Sequence, residues 1–275
     1  MSYKQPLSKN QAGVKLTRSD KGKPRLTRRD RDVLRQIGEG TAYCFDQLQG
    51  LLARHPDTQS KDPSCSSESR TRALIRRWEQ LGLVEYRKIL HDEPGWIWLT
   101  RKGLYHVGLS ARFHEPSLAN LEHLFWINET RALIEDTYGS APGFTWESER
   151  QIRATREHLR AQRKKQGKDL WIPDEYRGTH RPDALLRYRT GEEPDAPEIV
   201  SAIEVELSEK PYKTWEKIFI ELTKYYTTAQ YYVYPPIKAP LLKALETFQN
   251  GPPEYGEPDR ESRQYIYVFD IEERL

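Results

Sequence analysis

The feature that most constrains this chain is a strand, helix, strand succession between residues 199 and 234. Along 199–208 the residues alternate, so that Ile203, Val205 and Leu207 project from one face of a strand and Glu204 and Glu206 from the other. The period then becomes helical over 212–228, with Trp215, Ile218, Phe219 and Leu222 on one stripe, and returns to a strand at 231–234. A helix between two strands is the connection that a parallel pair requires. Upstream lie a helix over 117–138, stopped by Gly139-Ser140, and strand-like runs over 144–152 and 182–189. Downstream lie a helix over 240–248 and a last strand over 265–269. This order predicts an α/β unit with a mixed sheet covered by helices.

Residues 26–112 have a different organisation. Thr27 caps a helix with an apolar stripe of Val33, Leu34 and Ile37, stopped at Gly38-Glu39-Gly40. Thr41 is placed to cap a second helix that buries Cys44, Phe45, Leu48, Leu51 and Leu52 and ends near His55-Pro56. Ser66 or Ser67 opens a third through Leu74, Ile75 and Trp78 to Gly82. Two strands, 83–86 and 96–99, flank a turn at 91–95, and a further helix starts near Thr100. Three helices, Leu81-Gly82-Leu83-Val84 before a hairpin and Leu99-Thr100-Arg101-Lys102-Gly103 after it resemble the winged helix-turn-helix family of bacterial regulators. The expected fold class is therefore α/β in two domains, a winged helix at 26–112 and an α/β domain at 113–275, behind a flexible basic arm at 1–25.

Charge arrangement says more than net charge, which is only +3. Ten cations between Lys4 and Arg31 face only Asp20 and Asp30, and a second basic stretch runs over 153–181. Arg70, Arg72, Arg76 and Arg77 recur on the third helix, whose other face is apolar; a planar guanidinium can bond guanine edges and phosphates in two parallel contacts. Arg70 and Arg72 are expected to meet bases and Arg76 and Arg77 phosphates, with Lys88 and Arg101 as further contacts of the hairpin side. The plain alternatives are an ordinary solvated helix face and a winged helix used only for protein contact. Residues 153–180 read as an insertion between strands whose Arg and Lys, with Trp171 and Tyr176, either follow a DNA backbone or stack on a base, or else form a disordered hairpin.

The acids carry the possible chemistry. Glu204 and Glu206 share a strand face and Asp183 opens a neighbouring strand. Three carboxylates brought together repel one another unless a cation joins them, and hard oxygen ligands suit magnesium or manganese. Such an ion would polarise a phosphate and activate water. The alternative is alternation on a half-exposed strand. The order Pro182-Asp183 followed by Glu204-Val205-Glu206 resembles the PD-(D/E)XK nuclease superfamily, which implies a restriction-endonuclease-like fold and, for Asp183, Glu204 and Glu206, catalytic and metal-binding roles. The superfamily usually carries lysine at the position of Glu206. Lys210, Lys213 and Lys217 are candidates for a displaced positive charge, and Glu129 or Glu122 for an additional acid from the preceding helix.

The phrases at 123–131, 146–150, 181–186 and 203–206, together with the preceding winged helix, resemble the replication-relaxation family of plasmids and mobile elements. That resemblance implies a DNA-binding protein that serves replication, relaxation or transfer, with duplex DNA, a second copy of the chain and replication or transfer proteins as partners. It leaves two readings open, a magnesium- or manganese-dependent nuclease and a regulator or adaptor with a catalytically silent fold. Tyr225-Tyr226, Tyr231-Tyr232 and Tyr234 are ordinary strand and helix-edge residues, and His123, His158 and His180 are too scattered to suggest the histidine cluster of a tyrosine relaxase. Two cysteines, a mean hydropathy of −0.86 and no leader-like apolar segment point to a soluble cytoplasmic chain without structural zinc.

Overall fold

The computed structural model describes residues 25–58, 65–110, 112–166, 170–252, 258–259 and 261–271; nearly all of the basic arm expected at 1–25 lies outside them. The fold is mixed α/β with a three-stranded antiparallel sheet and a five-stranded mixed one. No helix among the described residues is long and apolar enough to cross a membrane.

Helix α1 (Arg28–Glu39) starts as its capping signal dictates: Thr27 Oγ1 accepts from the Asp30 amide and Asp30 Oδ2 accepts from the Thr27 amide at 2.6 Å. The next turn departs from expectation. Thr41 takes a left-handed φ of 72°, and Ala42–Cys44 forms strand β1 before α2 (Phe45–Arg54) begins. The reason is tertiary, since β1 pairs with β3 (Trp96–Leu99), whose other edge carries β2 (Val84–Arg87). Helix α3 (Glu68–Gln80) follows Ser67 as expected, and α4 (Arg101–His106) is capped by Thr100, which accepts from the Gly103 amide. Trp78, Leu34, Ile37, Leu48 and Leu52 fill the core beneath.

Helix α5 (Leu118–Tyr138) packs against both β1 and β6 (Glu198–Glu206), which places it between the two sheets. A polar seam fixes it there. Asn128 donates to the Ala42 carbonyl at 2.8 Å, Gln47 to the Phe125 carbonyl at 2.9 Å, and buried Arg131 reaches Glu39 at 3.1 Å and Glu135 at 2.7 Å. Gly40 admits this approach, because a Cβ there would lie 2.5 Å from Asn128 Oδ1.

The large sheet runs in the order β4 (Thr145–Ser148), β5 (Ala184–Arg189), β6, β7 (Thr228–Val233), β8 (Ile266–Asp270). Its first three strands are antiparallel, and β6, β7 and β8 are parallel, joined by α7 (Tyr212–Tyr225) and α8 (Pro235–Asn250). The strand expected over 144–152 stops at Ser148, and the expected insertion is in large part a helix, α6 (Glu149–Gln166). Gln151 folds its side-chain carbonyl back onto the Ser148 amide and hydroxyl, both at 2.9 Å, and turns the chain out of the sheet. Both faces of β6 are covered: Ile203 and Val205 pack with Ile134 and Trp146 on one side, Ala202 with Phe219 and Leu222 on the other. Glu204 and Glu206 therefore stand on a buried central strand, not on the half-exposed one that simple alternation would give.

Candidate acidic centre and nucleic-acid interface

Asp183 precedes β5, and the register that places Ala184 opposite Ile203 brings it beside the end of β6. Its Oδ2 accepts from the Val205 amide at 2.8 Å. His123, from the first half of α5, points Nε2 at the same oxygen from 3.3 Å and at the Val205 carbonyl from 3.0 Å. On β6, Glu204 Oε1 lies 2.7 Å from His180 Nε2. The turn that carries His180 is held by α7, because Glu221 Oε2 accepts the amides of Thr179 at 2.6 Å and His180 at 2.7 Å. Glu206, 5% exposed, is held by the Lys210 ammonium and by the Trp215 indole at 3.4 Å. Each acid thus has its own cationic or ring nitrogen partner.

Burial works against charge on Glu204 and pushes its carboxyl up to about 7, although the His180 imidazole pulls it down. Burial also disfavours the charged imidazole of His123, but the bond to Asp183 and the charges of Asp183 and Glu204 outweigh it and raise His123 to about 9. His180 moves the same way, with Glu204 overcoming its desolvation. Tyr231, fully buried beside the three acids, is held protonated by burial and by their charge.

Two expectations need revision. Glu129 is not part of this centre, since it faces the other side of α5 and accepts from Gln47 at 2.7 Å, while Glu122 is exposed. The residue that α5 contributes is a histidine. His123 and His180, too far apart in sequence to suggest a cluster, converge on Asp183 and Glu204 because the sheet brings their segments together. Lys210, one of three candidate lysines, reaches Glu206, whereas Lys213 and Lys217 are exposed on α7. The signal for Lys210 was its i,i+4 spacing from Glu206; the histidines offered none. Among the described residues no group of three or more His, Cys, Asp or Glu side chains is arranged to hold a metal ion. Asp183 Oδ2, Glu204 Oε1 and Glu206 Oε2 each face a protein nitrogen.

The expected DNA contacts separate into two kinds. Arg70, Arg72 and Arg76 lie on the exposed face of α3, Arg72 bonded to Glu68 at 2.7 Å and stacked 4.9 Å over the Phe45 ring. Lys88 is exposed just past β2, and Arg101 is exposed over the Phe113 ring at 5.7 Å. Arg77 differs, because it turns inward to Asp30, a fully buried carboxylate that also accepts from the Trp78 indole at 3.2 Å. It closes the joint between α1 and α3, so its primary role is structural. No protein-family model, curated protein or solved structure matches the chain.

Proposed function

We propose that this chain is a duplex-DNA-binding protein of the replication-relaxation kind, serving a plasmid or other mobile element. Its N-terminal part acts as a winged helix, and its C-terminal part is a restriction-endonuclease-like unit. The observation that carries the reading is α3: Leu74, Ile75 and Trp78 anchor one face in the core while Arg70, Arg72 and Arg76 stand exposed on the other, beside the hairpin of β2 and β3. Exposed guanidiniums on a rigid helix suit a major groove, and Lys88 and Arg101 add charge for the flanking phosphates. The order α5, three antiparallel strands with α6 inserted after the first, α7 and a parallel strand supports the nuclease-like reading of the second part.

A second reading, in which that unit is a catalytically silent platform for dimerisation or partner binding, is favoured by one observation. Asp183 is engaged by His123, Glu204 by His180 and Glu206 by Lys210. One data set separates the two: duplex binding and cleavage of supercoiled and linear DNA with magnesium, manganese or EDTA. Metal-dependent nicking that Asp183→Ala abolishes, with binding retained, establishes the nuclease; tight site-specific binding without cleavage under any condition establishes the platform. Duplex affinity that does not respond to salt or to Arg70→Ala and Arg76→Ala sinks the DNA-binding reading itself.

A further inference from the structure

Helix α6 borders an open cleft of about 660 Å³, lined on the helix side by Arg156, Leu159, Arg160, Arg163 and Lys164 and opposite by Ile172, Tyr176 and Arg177. Among the described residues none of the lining side chains is acidic, and Arg177 is paired with Asp174 at 2.8 Å. Arg156, Arg160 and Arg163 recur at helical spacing along one face and so form a row roughly 10 Å long. Arg160, Arg163 and Lys164 are exposed and form no ion pair among the described residues.

The floor of the cleft is the more telling part. Arg156 is only 4% exposed, yet no carboxylate pairs with it among the described residues. Its guanidinium donates to the Glu175 carbonyl and the Tyr226 hydroxyl, both at 3.3 Å, and its Nε has no hydrogen-bond partner among them. A buried cation held only by neutral oxygens carries an uncompensated desolvation cost, which an anion entering the cleft would offset. Tyr226 links this floor to the acidic centre: it bonds Arg156, and its phenol is raised by burial and by the charge of Glu204, while Arg156 works the other way.

We propose that this cleft binds a single strand of DNA, with phosphates on Arg156, Arg160, Arg163, Lys164 and Arg177 and bases against the adjacent aromatic residues. The size favours one strand, since the volume lies within the range of sites that hold a small ligand, enough for one or two nucleotides and too small to admit a duplex. The aromatic supply fits as well. Tyr176 lines the cleft, and Trp171, next to Ile172 in the chain, is 71% exposed. Cations beside stacking rings are how sequence-tolerant strand binding is built. The site is separate from α3 and does not depend on the duplex contact proposed there.

The test uses the full chain and a fluorescent twelve-nucleotide thymidine strand, followed by anisotropy at several salt concentrations. Combined Arg160→Glu, Arg163→Glu and Lys164→Glu substitution is expected to weaken binding about tenfold or more and to reduce the salt slope by about 2. Trp171→Ala should weaken it about fivefold or more with less change in slope. These side chains are exposed, so circular dichroism and melting temperature should match the wild type. Arg76→Ala on α3 should leave strand binding intact while weakening duplex binding, which keeps failure of the cleft distinct from failure of α3. Equal strand affinity of wild type and the triple variant overturns the proposal, as does complete competition by millimolar inorganic phosphate or loss of strand binding in Arg76→Ala.

Discussion

His180 and Glu204 form a pair beside the five-stranded sheet, Nε2 to Oε1 at 2.7 Å, although 24 residues separate them. The two groups titrate as a pair, each acting on the proton of the other. Glu204 holds the His180 imidazole above its ordinary value of 6.5 against desolvation. Replacement by Glu204→Gln keeps the shape but removes the charge, so the His180 titration midpoint followed by NMR should fall. A midpoint that stays in place would show that the carboxylate is not its partner in solution.

Stability should fall as pH rises. Glu204 is raised from 4.5 to about 7, so the folded chain binds the proton more tightly; the contribution is complete below 4.5 and lost as pH rises through 7. His123 is raised from 6.5 to about 9, so its contribution is complete below 6.5 and lost as pH rises through 9. Its side chain is 39% exposed, and solvent screening limits this second part to about 1 kcal/mol. Urea midpoints at pH 5, 7 and 9 should therefore decline, with Glu204→Gln flattening the lower window. Midpoints that climb steadily over that range contradict the assignment.

Arg76 and Arg77 are neighbours with opposite consequences. Arg77→Ala strips the fully buried Asp30 of its cation and should cost about 3 kcal/mol or more, visible as a lower denaturant midpoint. Arg76→Ala, on the exposed face, should change stability by about 0.5 kcal/mol or less and act on duplex affinity alone. Equal stability of the two variants would mean that the Asp30 pair does not anchor α3.

Gly103 tests how α4 seats against the small sheet. A Cβ there would fall 2.0 Å from the Leu83 carbonyl oxygen, and a backbone atom cannot swing aside. Gly103→Ala should destabilise by about 3 kcal/mol or more. Gly108→Ala serves as the comparison: an added Cβ has nothing within 4 Å, so only the strain of its φ of 73° remains. If calorimetry finds Gly103→Ala no worse than Gly108→Ala, α4 is not pressed against β2 as described.

Much of the local structure was legible from adjacent residues. Thr27 announced the start of α1, Ser66 or Ser67 the start of α3, Ser117 and Gly139 the ends of α5, and the alternation around Glu204 announced β6, because caps and periods act within one or two turns. Ser148 with Gln151 was a legible capping pair too, and it marks α6 where an insertion loop was expected. Strand β1 was not legible. Residues 42–44 carry a helical pattern, and only the free edge of β3 makes them a strand.

The candidate centre divides in the same way. The sequence by itself determined that Glu204 and Glu206 share a strand face and that Asp183 opens the neighbouring strand, since strand geometry places alternate side chains together. Only the tertiary structure decided what meets those acids. Strand register and the packing of α5 bring His123 across 60 residues to Asp183 and turn Glu129 away to Gln47. Residues that distant meet through the sum of burial over the whole fold, and no local pattern encodes that sum.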